Sequence, residues 1–168
     1  MVGDDLTRRK VLAALAALTA LPQTALADEV IDLEWQDLLP KGQTMVPNSF
    51  QGFIQHDDPS FRSEQPASTG VRTEWNGQIV RLPGFMVPID YDGTGVTAFL
   101  LVPFVGACVH VPPPPANQLV FVTTEEPYEA AGLFEPINVT GMFGAASTHT
   151  QLAEVGYAMS AELIEPYG

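Results

Sequence analysis

Cys108 and His110 are the residues of this chain best equipped for chemistry, and they stand two apart in Gly106-Ala-Cys-Val-His-Val-Pro-Pro-Pro-Pro-Ala-Asn-Gln118. Alternate residues of an extended segment point to one face, so a thiolate and an imidazole at this spacing can converge on one ion. Their softness suits zinc or copper rather than calcium. A structural zinc takes four protein ligands, and a catalytic or transfer site keeps one position open. His149, His56 or a carboxylate such as Asp57 would complete the set. Three other readings of the pair stand beside the metal. Cys108 is the only cysteine, and a lone cysteine is commonly a small buried hydrophobe. A thiol enzyme would need Cys108 and His110 in hydrogen-bond contact with a third, orienting group such as Asn117. The third reading concerns the prolines. Pro112, Pro113, Pro114 and Pro115 favour a stiff polyproline rod rising about 3.1 Å per residue. Beside Phe104 and Phe121 such a rod is a docking edge for another protein, with Asn117 and Gln118 serving backbone groups that proline cannot.

These residues need a scaffold, and the pattern around them is that of strands. Gln78–Leu82 and Gly84–Pro88 read as strand halves around a bulge or bend at Pro83-Gly84. Asp90–Gly95 has turn chemistry. Val96–Val102, Leu119–Val122 and Ile137–Phe143 follow as strands, and alternation from Val155 to Leu163 favours a last one over Ala153–Ile164. Glu125–Leu133 is expected to hold a helical turn. Asp32–Pro40, apolar at Leu33, Trp35, Leu38 and Leu39, reads as one or two amphipathic helical turns ended by proline. Pro47–Gly70, with His56 and Asp57, is polar and aperiodic, as in a loop or extended arm. Five short strands with glycine bends predict a mainly β fold, a small OB-like five-stranded barrel; a β-sandwich is the alternative.

The first 27 residues read as an address. Thr7-Arg8-Arg9-Lys10-Val11-Leu12 precedes an apolar run to Leu21, and Ala25-Leu26-Ala27 offers a small-x-small cleavage site. The arginine pair is that of a twin-arginine signal, with an ordinary secretion signal as the alternative. The run is shorter than the roughly 20 residues that span a bilayer. The chain thus divides into a signal over 1–27, an N-terminal arm and loop over 28–77, and an OB-like β domain over 78–168, the mature protein lying in the periplasm.

Charge narrows the function classes. The sequence has 7 basic and 20 acidic residues. Loss of Arg8, Arg9, Lys10, Asp4 and Asp5 with the signal leaves 4 and 18, a net charge of −14. Such a surface repels phosphate backbones and argues against nucleic-acid partners. A Gly-x-Ser-x-Gly elbow, a second cysteine for redox cycling and a phosphate loop are all missing from the sequence.

Trp35-Gln-Asp-Leu-Leu-Pro40, Gly84-Phe-Met-Val-Pro-Ile-Asp90, Phe99-Leu-Leu-Val-Pro103 and the tetraproline signature together resemble a family of exported bacterial proteins and lipoproteins classed as a domain of unknown function. The resemblance spans nearly all of the mature chain and places Cys108 and His110 in the family signature, with His56 and His149 outside it. It implies a partner of periplasmic transport systems, with a role in divalent-metal homeostasis. The expectation is therefore a non-enzymatic periplasmic binding or accessory protein, possible partners being a periplasmic protein or a transport component. The alternative is a mononuclear zinc or copper site, or a thiol enzyme, on Cys108 and His110.

Overall fold

The structure, a computed structural model, describes residues 29–43, 65–106 and 113–167. The signal, His56, Asp57, Cys108, His110 and Pro112 lie outside the described residues. The elements are β1 (Ile31–Asp32), β2 (Gln78–Asp92), β3 (Gly95–Val102), a 3-10 turn at Ala116–Gln118, β4 (Val120–Tyr128), β5 (Pro136–His149) and β6 (Glu154–Pro166). The sheet runs β1-β2-β3-β4-β6-β5 and closes through β2–β5. Five strands thus form a barrel, and β1 adds to β2 from outside. The β4–β6 contact is parallel and the other barrel contacts are antiparallel. That is the order of an OB barrel, and closure sets the sandwich aside.

Alternation in the strands sorts side chains to two sides of the wall. Val80, Leu82 and Met86 of β2, Phe99 and Leu101 of β3, Val139 of β5 and Tyr157 of β6 share the interior cluster. The other parity builds a second cluster outside, where Val87, Leu100, Val102 and Leu119 are buried with Phe85, Phe104 and Phe121 packed on them. Both faces of β3 are therefore covered. This is why Val96–Val102 reads as an almost unbroken apolar run.

Three local expectations are corrected. β2 is one continuous strand through Pro83 and Gly84, and its irregularity falls between Pro88 and Tyr91 instead. The strand changes partners midway: Gln78–Phe85 pair with β5, and Phe85–Asp92 pair with β3. Pro83 sits where no third strand demands its missing N–H, and its carbonyl accepts the Trp35 indole Nε1–H at 2.7 Å. The expected helical turn at Glu125–Leu133 is absent; Glu125–Tyr128 continue β4, and Tyr128 returns to the sheet opposite Val96. The segment after β1 forms turns rather than an α-helix, with Asp37 N–H on Glu34 O (2.9 Å) and Leu39 N–H on Gln36 O (3.2 Å). Its amphipathic reading holds, because Leu33, Trp35 and Leu38 join the interior cluster and Leu39 is also buried.

β5 and β6 share the longest pairing, which shifts register at Thr140/Gly141 and again between Ala145 and Thr148. At Gly141 a β-carbon would collide with the Ser160 carbonyl oxygen. Only glycine lets the two strands cross this closely.

Candidate functional site

Of the signature, Gly106 and residues 113–118 lie in the described structure. Pro114 is buried and Pro113 and Pro115 are half-buried. Pro115 has φ −53° and ψ 151°, which is polyproline geometry. The 3-10 turn follows, with Gln118 N–H on Pro115 O at 2.8 Å, and it delivers the chain into β4. The rod is thus wedged into the molecule on one side rather than free on the surface.

Asn117 and Gln118, the signature's two amides, are 1% and 5% exposed. They reach back to the N-terminal arm. The Asn117 Nδ2 donates to Gly70 O (2.9 Å) and Thr69 Oγ1 (3.3 Å), and the Gln118 Nε2 donates to Trp35 O and Asn117 O, both at 3.0 Å. These donors fix the orientation of both amides and leave Asn117 Oδ1 and Gln118 Oε1 buried without a partner among the described residues.

Two residues with no sequence signal complete the fastening. Gln65 behaves as an extra peptide group: its Nε2 donates to Pro114 O and Glu154 O, and its Oε1 accepts the Glu154 N–H, each at 2.8 Å. Tyr157, wholly buried and stacked on Phe143 with ring centroids 5.1 Å apart, donates to Leu38 O and accepts the Arg72 N–H, both at 2.7 Å. Burial raises the Tyr157 phenol pKa, and the Arg72 contact opposes that rise. Arg72 also donates to Asp37 O and lies 4.6 Å from the centre of the Trp75 ring. Its hydrogen bond to Glu74 raises the guanidinium pKa and lowers that of the carboxyl.

Where arm, signature and β5–β6 end meet there is an open cleft of about 430 Å³. Ser68 and Gly70 line the arm side, Ala116 the signature side, and Thr148, His149 and Glu154 the far wall. β6 passes close beneath at Gly156, where a β-carbon would lie 2.9 Å from Ala116 O and 2.8 Å from Val71 Cγ1. The far wall is shaped by a hydroxyl-capped turn: Thr150 Oγ1 donates to Ala153 O (2.8 Å) and accepts the Ala153 N–H (3.0 Å). The His149 Nδ1 stands 3.9 Å from Glu154 Oε1, with the two side chains 79% and 73% exposed.

The sequence-selected residues are therefore distributed as follows. His149 lines the cleft together with Ala116 of the signature; Pro114, Asn117 and Gln118 are tied to the arm, and Pro113 and Pro115 are half-buried beside them. Cys108, His110, His56 and Pro112 lie outside the described residues. Among the described residues no three His, Cys, Asp or Glu side chains cluster as metal ligands do; His149 and Glu154 stand as a pair. Among them, too, no helix is long and apolar enough to cross a membrane. The outer faces of the second and third barrel strands, which OB barrels offer to oligonucleotides and oligosaccharides, carry here the second apolar cluster.

The model of a protein family described as "Protein of unknown function (DUF3299)" matches residues 35–166. The chain belongs to the DUF3299 family. It is also similar to a solved structure, the crystal structure of a DUF3299 family protein from Pseudomonas aeruginosa PAO1, at 33% identity and a TM-score of 0.69. That likeness covers 83% of this chain and 97% of the other. No curated protein matches it. The DUF3299 match begins at Trp35 and so takes in the arm as well as the barrel. This agrees with an arm whose Trp35 and Leu38 are interior residues.

Proposed function

We propose that this DUF3299 protein is an exported, non-enzymatic binding and accessory module of the periplasm that serves divalent-metal handling or a transport system. One observation carries the reading: Gln65 ties Pro114 of the signature to Glu154, whose carboxylate faces the imidazole of His149. The described histidine and the end of the signature from Pro113 onward thus lie at one end of the barrel, which supports the reading. His110 is four residues before Pro114, and an extended chain spans at most about 14 Å over four residues. A soft donor set of Cys108, His110 and His149 with Glu154 would favour zinc or copper, and His56 is the further imidazole. Export by the twin-arginine route, for which Arg8 and Arg9 speak, would let the protein fold before it crosses the membrane.

Calorimetric titration of the full chain with zinc and with copper tests the reading. A saturable site is expected, weakened about tenfold or more by His149→Ala, as loss of one ligand or its support does, and abolished by Cys108→Ser. Saturation untouched by either substitution places the ion elsewhere and overturns the assignment. Fast alkylation of Cys108 at neutral pH would instead favour the thiol-enzyme alternative, because only a thiolate with a lowered pKa reacts so.

A further inference from the structure

The barrel does not close along its whole length. β4 and β6 run side by side from Val120 opposite Tyr157 to Thr124 opposite Ala161, and then part. Along β4, Ala98 faces Thr123 while Val96 faces Tyr128, so among the described residues Glu125, Glu126 and Pro127 have no strand partner on either side. On β6, Thr140 faces Leu163 and Gly141 faces Ala161, which makes Glu162 the extra residue of a bulge. Beyond it, Leu163–Pro166 pair with β5 on one edge and, among the described residues, with no strand on the other. Two open clefts mark the gap, one of about 180 Å³ beside Pro127, Tyr128, Leu163 and Ile164 and one of about 400 Å³ beside Glu125 and Glu162.

We infer that this seam takes an extended, basic segment of a partner protein as an added strand. An unpaired strand edge presents a row of backbone donors and acceptors, and proteins commonly guard it with lysine, proline or a covering loop. Here the prolines are Pro127 on the β4 lip and Pro166 at the end of the β6 edge, and between them β6 meets the gap with Leu163, 49% exposed, and with Glu162. Charge selects the occupant. Glu125, Glu126 and Glu162 are exposed on both lips of the gap. Among the described residues the ion pairs are Arg72–Glu74, Arg81–Glu165 and His149–Glu154, so these three carboxylates have no cation of their own. The open edge of four residues is about 13 Å long, and same-face side chains of an incoming strand recur about every 7 Å. Two lysines or arginines therefore meet the two lips while a residue between them covers Leu163. Main-chain bonds hold such a strand and alternate side chains select it. The seam runs toward the Tyr128–Ile164 end of the barrel and uses none of the cleft residues, so the inference stands apart from the proposed function.

Fluorescence anisotropy with a labelled Lys-Val-Lys-Thr-Lys-Val peptide and the full chain tests it. Saturable binding with Kd at or below about 1 mM is expected, at least about fivefold weaker in the double variant Glu125→Gln/Glu162→Gln, since lip charges act through pairing and steering. The same peptide methylated at every backbone nitrogen keeps its charges but cannot donate to a strand edge, and it is expected to lose binding to the same degree. Amide resonances of Leu163, Ile164 and Glu165 are expected to shift with the unmodified peptide. Equal binding of the methylated peptide, indifference of the folded double variant, or no saturation would each overturn the inference.

Discussion

At the scale of single residues, the phenol of Tyr157 is the contact on which the arm most depends. It is buried and satisfies two backbone groups at once, the Leu38 carbonyl and the Arg72 N–H. Tyr157→Phe keeps the ring and its stacking on Phe143 and orphans both partners. Loss of about 1–3 kcal/mol is expected from chemical denaturation, the cost of unsatisfied buried groups. A second phenol sets an alkaline limit. Burial, with the Tyr128–Glu135 hydrogen bond of 3.0 Å, pushes the Tyr128 pKa up to about 12. Because the folded value lies above the ordinary one of about 10, the folded state holds a proton that the unfolded chain gives up first. Stability is therefore full below pH 10 and falls as pH rises toward 12. Tyr128→Phe should flatten that part of the profile, as read by denaturation midpoints at successive pH values. Glu135 also accepts the Ala131 N–H at 2.6 Å, so the Phe variant keeps the loop tied and isolates the proton.

At the scale of elements, the crossing of β5 over β6 and the clamp on the signature are separable. Gly141→Ala forces a β-carbon against the Ser160 carbonyl, and overpacking of this kind costs about 1–3 kcal/mol; thermal unfolding should report it as a lower midpoint. Gln65→Ala leaves the barrel intact and removes three hydrogen bonds between arm, signature and β6. Hydrogen exchange at the Glu154 amide should accelerate in that variant, while amides in the middle of β3 keep their protection. How far the elements were readable follows from the same contrast. Val96–Val102, Ile137–Phe143 and Ala153–Ile164 announce themselves because alternation or an unbroken apolar run is written locally. The continuity of β2 was hidden, since Pro83-Gly84 breaks an isolated strand, while what carries this one through, pairing with Asn138 and Ile137 of β5 and the Trp35 indole 48 positions away, lies far off in the chain. The signature was conspicuous as a string of prolines. Its anchor, Gln65, was not, because a glutamine in a polar arm carries no mark of the strand edge it will meet.

At the scale of the whole molecule, the acidic surface and the filled outer face act together. A net charge of −13 repels phosphates, and the aromatic platform an OB barrel would stack bases on is packed into the second cluster around Leu100 and Val102. Single-stranded DNA and RNA should show no mobility shift even at about 50 mM salt, where screening is weak and phosphate binding strongest. Charge alone had pointed this way in the sequence. The occupied face could not be read there, because an outward apolar residue and an inward one look alike until the barrel closes.

The arm's fastening also dictates an order of events. Its bonds join residues far apart in the chain: Trp35 to Gln118, and Leu38 to Tyr157, 119 positions on. β1 finds its parallel partner β2 only across the arm, and β4 finds β6 only across β5. A chain made from its N-terminus therefore carries Leu33, Trp35 and Leu38 without their full cover until β6 has been synthesised. Contacts this distant in sequence place folding in the slow, millisecond-to-second regime of β barrels, and until they form the arm is open to a chaperone and to proteases. The last piece to set is the one made first.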